Sequence, residues 1–340
     1  MLLLNNKKIK VLNLFLLILV SNSFALQFGN GNDESTTEFV KVTDDVKKVF
    51  CGNNNTLIIK NDNSLWGTGA DIAYLFGLKG PEQINSFVHL MDDVIDVYWS
   101  YDFDYYKLLY IIKNDNTLWE VDNNKQKLID KDVVKFSEGL YIKKDKSLWA
   151  IGKDERGRFG LGTKKRSLYI PKQIANNISD VYSDSFYSFI IDTAGKLYLS
   201  GELNINSTYK NQFRFVEIDR NINQCENNLY VSKFNELYVI DYTGYYGLSG
   251  PTKIMDNIIS AKAFNWICLA LNDKNQLYGC GGVVPNYYGE LGLGNKNPVE
   301  KITLIMEDVT DFSIGVCFIG VVKKDGSLWM CGSNDFPAQM

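Results

Sequence analysis

The stretch Lys323–Gly332, KKDGSLWMCG, decides how this chain is read. Close copies stand at Lys60–Gly69 (KNDNSLWGTG), Lys113–Val121 (KNDNTLWEV) and Lys143–Gly152 (KKDKSLWAIG). At Lys60 the phrase follows Thr56-Leu-Ile-Ile, so a β-rich run meets a polar turn and then a second β-rich run beginning Leu-Trp. That order predicts a hairpin, because Asp-Asn and Asp-Gly tolerate the positive φ of tight turns. Leu and the aromatic are adjacent and face opposite sides of their sheet, so both sides are expected to be buried. The tryptophans therefore read as core.

Outward from this phrase the chain is repetitive. Leu followed by Trp or Tyr recurs at Leu65, Leu118, Leu148, Leu197, Leu237, Leu277 and Leu328. Each is preceded by an apolar pair four residues apart: Val42/Val46, Leu90/Val94, Ile129/Val133, Ile174/Ile178, Ile218/Ile222, Ile254/Ile258 and Ile305/Val309. From the second member to the aromatic is 20 residues in units 1, 4, 6 and 7, 16 in units 3 and 5, and 25 in unit 2. Seven units of about 44 residues have the period of propeller blades. An all-β, seven-bladed propeller of four-stranded antiparallel blades is expected over 39–334, with strands A to D numbered outward from the second apolar marker.

A composition of 45% hydrophobic and 13% aromatic residues in 340 supplies such a core. The first 25 residues are set aside. Lys7, Lys8 and Lys10 precede a short apolar run, and Ser23-Phe24-Ala25 suits signal peptidase, so a cleaved leader, a linker over 26–38, a tail over 335–340 and a secreted product are expected. The run is shorter than a membrane span needs. Losing three lysines moves the formal charge from −4 to −7, which disfavours nucleic acid and anionic membrane as partners. His89 is the sole histidine, and no metal or cofactor motif is evident.

The C–D connections carry glycines: RGRFGLG (Arg156–Gly162), TGYYGLSG (Thr243–Gly250), YGELGLG (Tyr288–Gly294) and a worn YLFGLKG (Tyr74–Gly80). A phosphate loop would open a helix, whereas these run between strands. Pro81, Pro171, Pro251 and Pro298 sit at or before strand D, the outer edge where proline is tolerated. The order Val-x-x-Val, Asp-x-x-Leu-Trp-x-x-Gly, Gly-x-Leu-Gly-x-Gly, Pro-x-x-Ile resembles the regulator of chromosome condensation repeat. The match weakens in units 2 and 5, where Asp122 and Asp241 replace a glycine. This resemblance implies a seven-bladed propeller. Its intracellular members serve as exchange factors for small GTPases or as chromatin binders, roles that a secreted chain could not reach.

Antiparallel strands place the A–B and C–D loops on one face and the B–C and D–A loops on the other. Unit 2 has an A–B insertion, WSYDFDYY, carrying Trp99, Tyr101, Phe103, Tyr105 and Tyr106. Phe186 and Tyr187 in unit 4 and Phe264 and Trp266 in unit 6 join it, with Arg156 and Arg158 from a C–D loop. Aromatics clustered at one end suit a protein-binding surface. A non-enzymatic, monomeric interaction module with an unidentified protein partner is the leading expectation. The alternatives are a GTPase regulator of the family type and an extracellular glycan-binding or glycan-cleaving propeller. Cleavage would need two convergent carboxylates among acids such as Asp102, Asp104 and Asp184. Asn54, Asn177 and Asn206 begin glycosylation triplets, and Cys51–Cys317 and Cys280–Cys331 are candidate disulfides beside the alternative of free buried thiols.

The copy at Lys323 ends without a strand D. The strand Phe39–Val42 precedes Val46 as Ile174 precedes Ile178, so it is expected to complete the seventh blade and close the ring.

Overall fold

The computed structural model describes residues 28, 35–70, 72–78, 83–101, 107–164, 166–202, 212–240, 251–264, 267–281 and 288–333. Seven four-stranded antiparallel sheets follow one another in blade order. Blade 1 shows the pattern: A is Val46–Cys51, B is Asn55–Lys60, C is Leu65–Ala70 and D is Gln83–Met91. The worn glycine loop of this blade is preceded by a one-turn helix, Ile72–Phe76, ahead of Gly77.

The recurring phrase forms the B–C hairpin, and its residues hold one another in place. Asp62 Oδ1 accepts from the Ser64 amide at 2.9 Å and from its hydroxyl at 2.6 Å, and Trp66 Nε1 donates to Ser64 Oγ at 2.8 Å. Lys60 Nζ stands 4.3 Å from the indole centroid. The same set recurs with Asp115, Thr117, Trp119 and Lys113, with Asp145, Ser147, Trp149 and Lys143, and with Asp325, Ser327, Trp329 and Lys323. The residue between Asp and Ser/Thr is left-handed in each: Asn63, Asn116, Lys146 and Gly326. The partner leucines are fully buried, but the four indoles are only half-buried. Tryptophan is therefore not simple core here. One flank packs while the N–H and the cation-facing ring brace the turn, which an amphipathic aromatic allows.

Closure occurs as expected, and the strand is longer than expected. Thr36–Thr43 pairs antiparallel with Leu328–Gly332, giving the last blade the order D-C-B-A from edge to centre. It starts within the expected linker, and Phe28, also in that linker, is fully buried and lies 6.0 Å from the Phe318 ring. The glycine loops show why this strand is equivalent to an ordinary strand D. Gly160 of blade 3 has φ +69°, and a Cβ there would meet the Phe215 ring at 2.4 Å; Gly292 of blade 6 has φ +66°, and a Cβ would meet Phe39 at 2.3 Å. Phe215 belongs to strand D of blade 4 (Gln212–Asp219), Phe39 to the closing strand. In both places the loop of one blade is left bare so that the next blade's outer aromatic can lie on it.

Every D–A corner is a two-residue turn whose second residue is left-handed: Asp45, Asp93, Asp132, Asn177, Asn221, Asn257 and Asp308, with φ between 58° and 64°. Asn and Asp are the non-glycine residues that adopt this conformation most readily.

Removal of residues 36–43 should expose the Leu328–Gly332 edge and lower the melting temperature by about 10 °C or more; an unchanged melt would show that closure contributes nothing. The turn carboxyls of Asp62, Asp115, Asp145 and Asp325 are held below the ordinary value of 3.8, chiefly by the Ser or Thr hydroxyl each accepts. A depressed folded-state value adds stability above the unfolded pKa and loses it as pH falls through the folded one. Changing all four to Asn should therefore flatten the stability loss measured below about pH 4; parallel curves for the two proteins would exclude this origin.

Candidate functional site

The innermost strands are Val46–Cys51, Val94–Tyr101, Val133–Ser137, Ile178–Ser183, Ile222–Glu226, Ile258–Phe264 and Val309–Ile314. Each has a register irregularity between its first and third residues where it pairs with strand B. A bulge breaks the two-residue alternation. The first and fourth residues are consequently the buried ones, such as Val46 with Val49 and Val309 with Phe312. The fifth residues, Phe50, Tyr98, Ser137, Tyr182, Glu226, Lys262 and Ser313, all line one axial cavity of about 400 Å³.

Side chains at the third and fifth positions stitch the blades together. Lys48 pairs with Asp96 at 3.2 Å, Lys135 with Asp180 at short range, and Lys262 with Asp311 at 4.0 Å. The aspartates also reach the following blade, because Asp180 accepts the Cys225 amide at 3.1 Å and Asp311 the Val49 amide at 2.8 Å. Ser313 accepts the Cys51 amide, and Ser137 accepts the Ser183 amide, both at 2.9 Å. These side chains replace the backbone hydrogen bonds that separate sheets cannot make to one another. Burial alone would push the Lys135 pKa down, yet the carboxylates of Asp180 and Glu226 and the neighbouring Cys225 raise it, so the ammonium stays charged.

The sequence-predicted aromatic face is only partly assembled in the described residues. Trp99 and Phe264 reach the mouth of the cavity and are half-buried. Among the described residues the Trp99 indole N–H is buried without a partner, as are Asn54 Oδ1 in the A–B loop of blade 1 and Asn55 Oδ1 and Thr56 Oγ1 at the start of its strand B. Phe186 is exposed at 48% and carries the Arg156 guanidinium 4.9 Å above its ring. Arg156 also pairs with Glu202, which Lys164 contacts at 2.6 Å. Tyr187 does not belong to the surface. It is buried, and its hydroxyl donates to Asn227 Oδ1 at 2.8 Å in the next blade, so it is a spacer between blades 4 and 5. Arg158 is likewise buried, donating to Ser183 Oγ at 2.8 Å and to the carbonyls of Glu138 and Lys153. Tyr101 ends its strand; Phe103, Tyr105, Tyr106 and Trp266 lie outside the described residues.

The remaining candidates separate in the same way. All six cysteines are free thiols, so neither Cys51–Cys317 nor Cys280–Cys331 is joined. Cys280 instead faces Cys268 across the B–C pairing, and the Cys331 thiol donates to the Glu290 carbonyl at 3.0 Å. Burial pushes the Cys51 thiol up to about 12, which keeps it protonated and inert. Asn177 is exposed on the D–A face, Asn54 is half-buried beside the fully buried Thr56, and Asn206 lies outside the described residues. Asp184 accepts the Phe186 and Tyr187 amides at 2.7 and 2.9 Å, so its carboxyl closes its own loop. Asp102 and Asp104 lie outside the described residues. Among the described residues no group of three His, Cys, Asp or Glu could hold a metal ion, and no helix is long and apolar enough to cross a membrane.

Strand count, order and closure define a seven-bladed β-propeller. Among solved structures, human WBSCR16 superposes with a TM-score of 0.66 at 13% identity, covering 86% of this chain and 88% of its own. Yeast RCC1 (Prp20), in its complex with Kap60, gives 0.63 at 13% identity over 85% and 80%. Prp20p from Saccharomyces cerevisiae, in a study that also treats its binding to Gsp1p and histones, gives 0.62 at 12% identity over 85% and 82%. No protein-family profile and no curated protein sequence matches the chain. At such identities the likeness is one of fold.

Asp180→Ala should strand the Lys135 ammonium and the Cys225 amide together, costing about 3 kcal/mol in denaturant unfolding. A loss no larger than that of a surface Asp→Ala change would mean that the stitching is incidental.

Proposed function

We propose that this chain is a secreted, non-enzymatic β-propeller that holds a protein partner on the face built by its A–B and C–D loops. The asymmetry of the two faces carries the reading. On one face seven near-identical two-residue corners, each with a left-handed Asp or Asn, leave little shape to recognise. On the other, the loops vary in length and present Phe186 under Arg156, with Trp99 and Phe264 at the cavity mouth. Aromatic and arginine side chains dominate the energetics of protein interfaces. Structural neighbours point the same way, since yeast RCC1 (Prp20) is seen bound to Kap60 and Prp20p is described as binding Gsp1p and histones.

Secretion rests on the basic, short apolar leader ending Ser23-Phe24-Ala25, and N-terminal sequencing of protein recovered from the medium should begin at Leu26. Among the axial acids, Asp96, Asp180 and Asp311 are each paired with a lysine, which favours binding over hydrolysis at those positions.

Phe186→Ala combined with Arg156→Ala should reduce partner recovery from the secreted fraction by about tenfold, with the melting temperature close to wild type. Equal recovery by both proteins would remove this face from the binding surface. Loss produced instead by Asn177→Lys, on the opposite face, would reverse the assignment.

A further inference from the structure

The axial cavity is lined by more carboxylates than lysines, with Asp96, Glu138, Glu226 and Asp311 against Lys48, Lys135 and Lys262. Lys48, Lys135 and Lys262 each take one aspartate from the next blade. Lys262 is further committed to blade 7, where Nζ donates to the Phe312 carbonyl at 2.7 Å and stands 5.2 Å from the Phe312 ring. Glu138 accepts from Ser100 Oγ at 3.4 Å. Glu226 differs: among the described residues its carboxylate makes no hydrogen bond or ion pair, and it lines the cavity directly. Burial raises its pKa, the charges of Lys135 and Lys262 oppose the rise without contacting it, and Asp180 adds a smaller upward push. An unpaired carboxylate in such a place is costly until a counter-charge arrives.

The surroundings select the kind of counter-charge. Glu226 shares its strand position with Phe50, Tyr98 and Tyr182, three aromatic residues of the cavity wall, a side-chain type that favours an organic cation. Val97 and Ile314 supply apolar wall for an aliphatic stem. A bare metal ion needs several oxygen ligands, and the described residues bring no three such groups together. The volume of about 400 Å³ falls in the range of small-ligand sites and far exceeds one ion or water.

We propose that the axial cavity is a receptor site for an ammonium or guanidinium group on an aliphatic stem, with Glu226 as its counter-ion and Phe50, Tyr98 and Tyr182 as its aromatic walls. Such a group belongs either to a free small amine or to a lysine or arginine side chain of a bound protein. The site goes beyond the interaction face proposed above and does not depend on it, because its recognition residues lie on the innermost strands rather than on the loops.

Calorimetric titration of the full chain with n-butylguanidinium and n-butylammonium chloride should show saturable binding, with Kd in about the millimolar range. The uncharged isostere n-butylurea should show none, a control that needs no variant. Glu226→Gln, checked by its melting curve, should weaken binding about tenfold or more. The blocked peptide acetyl-Gly-Gly-Arg-Gly-Gly-amide separates the sources: binding as tight as n-butylguanidinium, and equally lost in Glu226→Gln, assigns the site to a protein side chain. Binding of the small cations alone assigns it to a free amine. No binding by any of the cations, equal binding of n-butylurea, or full binding by a folded Glu226→Gln protein would overturn the proposal. Because Phe186 and Arg156 lie outside the cavity, their double alanine variant should bind the cations normally even where partner recovery fails.

Discussion

Pairing between Thr36–Thr43 and Leu328–Gly332 is the contact on which the rest of the molecule depends. Seven blades stacked around an axis leave a first and a last face unless something joins them, and an open array would expose sheet edges and core alike. The closing strand does two jobs at once. It supplies hydrogen bonds to the last blade, and its Phe39 lies on the bare Gly292 of blade 6, as Phe215 lies on Gly160. The chain's two ends are thereby held by the same contacts that hold every interior blade, and Val46 follows from the closing strand through an ordinary two-residue corner.

Closure also creates the axis. Because every innermost strand bulges between its first and third residues, two of its side chains go between blades while the third and fifth meet their counterparts around the channel. At the third position, charge alternates enough for lysine to find aspartate on the next blade, and the aspartate to find a backbone amide beyond it. At the fifth position the ring is chemically uneven, with three aromatics, two serines, one glutamate and one lysine. A repeat scaffold tolerates such variety there because these side chains meet solvent space rather than close packing.

Much of the fold is legible in the chain itself. The Asp-x-Ser-Leu-Trp phrase contains its own reasons: an acid to cap the turn, a left-handed residue, a hydroxyl to receive the indole and a leucine to bury. The glycine loops and the spacing of apolar markers are equally local. A further regularity was present and passed unread, since the residue before the second marker is Asp or Asn in all seven units, where the corner turns left-handed. The aromatic face was read less well. Tyr187 and Arg158 stand in loop-like stretches beside exposed neighbours, and nothing in their sequence context tells that adjoining blades will cover them. Likewise the tryptophans looked like core because alternation predicts burial, whereas their N–H groups hold them at the turn surface.

By itself, then, the sequence determined the blade: its hairpin, its corners, its count and the strand that completes the circle, all set by interactions between residues near one another or by a repeating register. Tertiary structure alone decided which residues face the axis and what they meet there. Lys135, Asp180 and Cys225 stand in three successive repeats, and Glu226 is left over only once each lysine has chosen its aspartate. That choice depends on a bulge and on ring closure, which bring residues some forty positions apart within hydrogen-bond reach.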